Sequence, residues 1–317
     1  MAVYTNISFS QMNEILTKFD IGELTEIIGI QEGVENSNYK IITDKDNFIL
    51  TIYEKRVKEN DLPYFINLMK HLNLNGICCP KPIYDNSGKE IQRISNKNSL
   101  LISFLYGKSV KDIQPKHCYE VGKHLAHLHL KAMNFSQNRE NNFGYNSWLP
   151  LLKSFSKYQN ISEFYKPKEL EAIISDTVLN WPKGLPKGQI HADLFPNNVL
   201  FIDDKLTGII DFYFACTDIL AYDIAVCINS WCFNDRNEFM KERAESILFG
   251  YNQIRELAKE ERTNLLTLTK GASIRFFLTR LHDWYNTPSD ALVIKLDPKE
   301  YLDKMLFFNQ LNDLELN

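Results

Sequence analysis

The chain has 317 residues, of which 44% are hydrophobic and 24% charged, with 40 acidic side chains against 36 basic ones. A formal charge of −4 argues against a nucleic-acid surface, which would need a clustered excess of Lys and Arg. Apolar runs such as Leu100–Leu105 are too brief to span a bilayer, and the opening Met-Ala-Val-Tyr-Thr-Asn lacks the basic and apolar regions of a secretory signal. Six cysteines, two of them adjacent at Cys78 and Cys79 and none in a Cys-x₂-Cys pair, make neither a disulfide framework nor a zinc site. A cytoplasmic protein with buried, reduced thiols is expected, long enough for two domains or two lobes.

Taken in order, residues Ser10 to Phe19 place Met12, Ile15, Leu16 and Phe19 on one helical face, with Ser10 as the N-cap. Three strands follow at Leu24–Ile30, Asn38–Thr43 and Phe48–Tyr53, the last two joined by the polar turn Asp44–Asn47 as an antiparallel hairpin. Asp61–Leu74 reads as a helix with Pro63 in its first turn, ended by Gly76. The prolines in Cys78–Pro82 make that stretch an extended linker. Two further strands, Glu90–Arg93 and Leu100–Leu105, complete a five-stranded sheet crossed by one helix. After Tyr106-Gly107 the pattern turns helical: Cys118–Lys131, then a loop-rich segment at 134–188, then helices at 219–233, 238–258, 260–285 and 298–311. The expectation is an α+β, bilobal chain with a nucleotide-binding lobe at 1–103, a helical lobe at 104–317 and the active site in the cleft.

The chemistry gathers between Gln189 and Tyr213. A His191-x-Asp193-x₄-Asn198 loop lies between apolar runs, and Asp211 stands thirteen residues after Asn198. The runs Asn198–Asp204 and Leu206–Phe212, separated by Asp-Asp-Lys, read as a hairpin that brings Asn198 and Asp211 to the same end. This spacing suits phosphoryl transfer. One carboxylate must sit beside the acceptor hydroxyl, while an amide and a second carboxylate hold the metal on the triphosphate. Asp193 is the candidate proton acceptor. Asn198 and Asp211 are candidate oxygen ligands for Mg²⁺. His191 and Asp223 read as braces of the catalytic loop, and Asp218 either caps the turn before a helix or faces the substrate. In the turn Glu32–Tyr39, the groups of Asn36, Ser37 and Asn38 could meet phosphate oxygens. Gly107-Lys108-Ser109 is not a P-loop, because Ile102 stands where the first glycine belongs.

These motifs and the Leu-Ala-His-Leu-His129 segment resemble the aminoglycoside-phosphotransferase and choline-kinase superfamily, whose fold is protein-kinase-like. Longer matches are similar to the homoserine kinases of that fold: Met-Ala-Val-Tyr-Thr at the start, Glu32–Tyr39, Leu50–Arg56, Asn60–Pro63, His191–Phe195, Ile210–Cys216, Leu220–Asp223 and Arg275–Arg280. The resemblance implies ATP- and Mg²⁺-dependent phosphorylation of the L-homoserine hydroxyl, in threonine biosynthesis, with no membrane or nucleic-acid partner. It adds Thr51, Ser103 and Leu105 to the ATP-contacting set. One departure concerns Thr51, which occupies the third-strand position where such folds usually carry a lysine; Lys55, Arg56 or another cation takes over, or the metal and loop backbone suffice. Homoserine needs a cation for its carboxylate, and Arg275 is the candidate, with Arg280 next and Asp218 and Trp231 as further substrate-site residues. The rival readings are a kinase of choline or an aminoglycoside, and a non-catalytic nucleotide-binding module.

Overall fold

A computed structural model describes residues 5–30, 36–54, 57–158, 164, 166–287 and 295–316. They divide into two compact units. The first holds the described residues up to Gly107 together with Gly208–Tyr213; the second holds Lys108–Thr207 and the described residues from Phe214 onward. Among the described residues, no helix is long and apolar enough to cross a membrane.

The first unit is an antiparallel sheet of β1 (Leu24–Ile30), β2 (Asn36–Thr43), β3 (Asn47–Tyr53), β5 (Lys97–Ser103) and β4 (Ile91–Ile94), in that order. Strand alternation gives it two distinct faces. Tyr39, Ile41, Phe48, Leu50, Ile52 and Leu101 point to one side and pack on Met12 and Leu16 of α1 (Phe9–Leu16). That helix begins one turn-position earlier than expected. Ser8, not Ser10, is its N-cap, exchanging hydrogen bonds with Gln11 in a capping box. Ser95 and Asn96, both left-handed (φ 51° and 61°), make the tight β4–β5 hairpin, which starts β5 earlier than the apolar run implied. Helix α2 (Leu62–Leu74) carries Pro63 in its first turn, and the left-handed Gly76 (φ 83°) follows its end. Gly208–Tyr213 groups with this sheet rather than with the helical part: Ile209 N–H donates to the Cys78 carbonyl at 2.8 Å, and Tyr213 packs edge-on against Tyr53 and Phe65.

The second unit is mainly helical: α3 (Pro115–Ala132), α4 (Tyr145–Ser154), α5 (Pro167–Leu179), α6 (Leu220–Trp231), α7 (Lys241–Asn252), α8 (Lys259–Thr263), α9 (Leu265–Asn286) and α10 (Lys299–Asn309). The single helix expected at 260–285 is interrupted at Asn264, and the one at 238–258 is confined to α7. Two short ribbons complete the unit. β6 (Lys187–Ile190) pairs with β9 (Cys216–Ile219), and β7 (Val199–Ile202) pairs with β8 (Lys205–Ile209) through left-handed Asp203 and Asp204. The first ribbon was not expected, because its four-residue strands are too short to show alternation. Helices α3 and α7 touch backbone to backbone: a Cβ on Gly122 would lie 2.0 Å from the Ile247 carbonyl oxygen, and one on Gly250 would lie 2.2 Å from that of Tyr119. All six cysteines are free, and all but Cys78 are buried.

Candidate active site

Between β6 and β7 the chain turns through His191–Asn198. Ala192 is left-handed (φ 63°), a posture that costs a residue bearing a Cβ about 1–3 kcal/mol unless its surroundings impose it. Here they do, by engaging the backbone polar groups on both sides. The two carboxylate oxygens of Asp223, on α6, accept the N–H groups of His191 (2.7 Å) and Ala192 (2.8 Å). From α9, the Arg275 guanidinium donates to the Ala192 carbonyl. The Asp193 carbonyl accepts from Asn198 Nδ2 and Phe195 N–H, each at 2.8 Å, and the Leu194 carbonyl accepts from Trp231 Nε1 at 2.8 Å. Asp193 N–H meets His191 Nδ1 at 3.3 Å.

Behind Asp223 runs a buried chain of polar groups. His129 Nε2, on α3, lies 3.2 Å from Asp223 Oδ2, and its Nδ1 lies 2.7 Å from the Tyr251 hydroxyl on α7. Arg255 Nη1 donates to that same hydroxyl at 3.2 Å, while Nη2 spans both carboxylate oxygens of Glu261 on α8, at 3.0 and 3.1 Å. Arginine cannot accept, so the Tyr251 oxygen accepts from it and spends its proton on His129 Nδ1; the imidazole proton then stands on Nε2, facing Asp223. Burial by itself would push the Asp223 carboxyl up, but the hydrogen bonds from His129 and from the His191 amide oppose it, and the carboxyl is held below the usual carboxylate range.

This scaffold presents one partly exposed carboxylate. Asp193 Oδ1 is 3.8 Å from Arg275 Nη2 and Oδ2 is 3.4 Å from Asn198 Nδ2. Because the Asn198 amide nitrogen is committed to Asp193, its oxygen is the end left to meet a hard cation. Asn198 precedes β7 in the second unit, and Asp211 follows β8 in the first, exposed and left-handed (φ 66°).

The other expected site residues fall in more varied places. Arg275, expected to hold a substrate carboxylate, is only 2% exposed and lies against the rings of Phe276, Phe214 and Phe143, 4.5–5.8 Å from their centroids. Its visible work is on the catalytic loop. Arg280 pairs with Glu300 at 2.5 Å. Trp231, expected in a substrate wall, is fully buried beneath Leu194. Asp218 is half-buried on β9, accepting from Asn141 Nδ2 and from its neighbour Ile219 N–H, both at 2.8 Å.

This arrangement has relatives. The Phosphotransferase enzyme family matches residues 26–257. A homoserine kinase from Xanthobacter autotrophicus is 46% identical over 310 residues, covering 97% of this chain and 96% of the relative. One from Agrobacterium fabrum is 45% identical over 307 residues, covering 97% and 95%. The chain belongs to the homoserine kinases. Among solved structures, an amicoumacin kinase in complex with AMP-PNP and Ca²⁺ superposes with a TM-score of 0.71 at 14% identity, covering 98% of this chain and 96% of that one. The fold is therefore protein-kinase-like, with an antiparallel sheet at the N-terminal end and helices at the C-terminal end.

The third-strand threonine is a departure from the wider protein-kinase-like pattern. Lys55 and Arg56 lie outside the described residues, as does the turn at 31–35. A Lys–Glu pair does exist on the sheet: Lys97 binds Glu54, which also accepts from Thr5 (2.7 Å) and Ser37 (2.6 Å). Strand alternation puts that cluster on the α1 face, with Ser37, so the Ser37 side chain is turned away from Thr51. Burial would raise the Glu54 carboxyl, but the hydrogen bonds from Lys97, Ser37 and Thr5 leave it lowered. On the opposite face, Thr51 Oγ1 donates to Asn38 Oδ1 at 2.8 Å. Lys40 shares this face but holds its ammonium 4.5 Å over the Phe104 ring. Asn36 accepts from Glu54 N–H at 3.4 Å, and Ser103 Oγ accepts from Lys81 N–H at 2.9 Å; Leu105 is half-buried after β5.

The residues that sequence reasoning missed are Tyr251, Arg255 and Glu261. No motif marks them, because their roles arise from contacts between α3, α7 and α8. His129 was visible only as part of a longer likeness.

Proposed function

We propose that this protein transfers the γ-phosphoryl group of ATP to the side-chain hydroxyl of L-homoserine, giving O-phospho-L-homoserine for threonine biosynthesis. The observation that carries this reading is the 44–46% identity to homoserine kinases along 97–98% of the chain. Asp193 is positioned for the required work: its carboxylate orients the hydroxyl and takes the proton as the new O–P bond forms and the bond to ADP breaks. Arg275 and Asn198 fix that carboxylate from two sides.

Asn198 and Asp211 would hold Mg²⁺. A hard cation held there would take its remaining oxygens from phosphates and water. When bound, the metal neutralises charge developing on the phosphates. Asn36, Asn38, Thr51, Ser103 and Leu105 are the proposed nucleotide contacts, with Ser37 restricted to its backbone. Asp218 is a proposed partner of the substrate ammonium. We assign Arg275 to the orientation of Asp193, since a guanidinium this enclosed has little surface to offer a carboxylate.

A coupled ADP-release assay with homoserine, choline and an aminoglycoside tests the reading. Homoserine should exceed the others in kcat/KM by about 100-fold or more. Equal or better turnover of either alternative would overturn it.

A further inference from the structure

Asp211 is pinned on both sides in sequence. Two residues before it, Ile209 is tied to Cys78. Two residues after it stands Tyr213, where its ring meets Tyr53 edge-on at 5.1 Å and Phe65 of α2 at 5.8 Å. The Tyr213 hydroxyl accepts from Tyr53 at 2.9 Å and has the Thr51 hydroxyl within hydrogen-bonding reach. Thr51 in turn donates to Asn38. Each hydroxyl has one proton to give, and the count closes: Tyr53 donates to Tyr213, Tyr213 to Thr51, and Thr51 to the Asn38 carbonyl. The chain is neutral throughout. It stands at the third-strand position where a lysine would otherwise be expected, with the ring of Phe65 as the helix α2 contribution.

We propose that Tyr213 is a positioning residue, which through this ladder of hydroxyls holds Asp211 in the posture that binds the nucleotide's metal. On this view no other lysine needs to substitute at Thr51: tying the Asp211 segment to the sheet is done by uncharged groups. The reading rests on Asp211 as a metal ligand, proposed above.

The test measures binding without the acceptor substrate, using Mn²⁺ with a non-hydrolysable ATP analogue, followed by electron paramagnetic resonance and calorimetry. Tyr213→Phe keeps the ring and should weaken Mn²⁺–nucleotide binding about tenfold, roughly what one buried hydrogen bond contributes. Metal-free nucleotide affinity and the homoserine KM should barely move, and excess metal should restore turnover. Tyr53→Phe, which removes the donor to Tyr213, should act in the same direction. The double variant should be no weaker than the weaker single, within about twofold, because one break already interrupts the ladder. Additive losses, or unchanged metal binding in Tyr213→Phe, would overturn the proposal. Asp211→Ala is the control. If it too leaves metal binding unchanged, the assignment of Asp211 fails first; if it abolishes binding while Tyr213→Phe does not, only the ladder fails. Thr51→Lys gives a second arm: weaker metal–nucleotide binding is expected, and tighter binding would show that the position wants a cation after all.

Discussion

The two segments proposed to carry the chemistry are supported in different ways. Around Asp193 the support is charged and buried: Asp223 on two backbone amides, His129 behind it, Arg275 on a carbonyl, and Arg255–Glu261 at the far end. The chain of contacts through Tyr213, beside Asp211, is neutral: hydroxyls, an amide and three aromatic rings. The difference follows from what each segment must do. The loop at Ala192 holds a left-handed residue whose carbonyl and amides point in different directions, and full charges grip such dipoles most strongly. Asp211, proposed above as a metal ligand, is flanked by Ile209 and Tyr213, which are held through uncharged groups.

Variants can break this contrast, starting where the effect is largest. Asp193→Asn should lower kcat by about 10²–10⁴-fold, the usual range for losing a positioned proton acceptor, while the urea midpoint stays nearly constant. A retained turnover would remove Asp193 from the reaction. Asp223→Ala strands two amides and His129, so it should cost about 3–5 kcal/mol in chemical denaturation, as for a broken buried pair. Tyr251→Phe leaves Arg255 and His129 Nδ1 each without this partner and should cost about 1–3 kcal/mol. Its signature is spectroscopic: ¹⁵N shifts should show the Nε2–H tautomer of His129 in the parent and a mixed population in the variant.

The smallest effect sharpens the contrast through pH. The Asp223 carboxyl titrates below its ordinary value in the native state, so unfolding takes up protons in acid. Its contribution is complete above the ordinary carboxylate pKa of about 3.9 and is lost as pH falls through the lower native value. The stability gap between the parent and Asp223→Asn should therefore narrow below about pH 4. On the ladder, burial is the main influence that pushes Tyr213 up to about 12 and raises Tyr53 well above its ordinary value. Both keep their protons near neutrality, so the gap between the parent and Tyr213→Phe, about 0.5–1.5 kcal/mol, should be flat from about pH 5 to 9. A slope there would mean the ladder is not neutral.

Much of this was legible in the chain. The sheet, α2 and the hairpin after Asn198 follow from alternation, Pro63 and Asp-Asp turns, and the Asp193, Asn198 and Asp211 spacing is local enough to read directly. Arg275 and Trp231 were expected at the substrate, yet a sequence gives no direction to a side chain, and their burial beneath the loop emerges only when α6 and α9 are packed. Ser37 shows the same limit more finely, since one step of strand register decides which face it serves. The Tyr251–Arg255–Glu261 chain lies wholly in contacts between distant helices, and no spacing announces it.

The bare backbone contact of α3 with α7 has a further consequence. Gly122 and Gly250 let the two helices touch, and Tyr251, the residue after Gly250, reaches across to His129 on α3 at 2.7 Å. These glycines act as a feeler gauge. By helix propensity alone, alanine would be favoured at each by about 1 kcal/mol, so both are natural targets for anyone trying to toughen the protein. Yet a single methyl group there would wedge the helices apart and lengthen the Tyr251–His129 contact. The tuning of a carboxylate that grips the catalytic loop thus depends on two positions with no functional group at all, and an enzyme improved at either would be detuned by a side chain that never comes near its substrate.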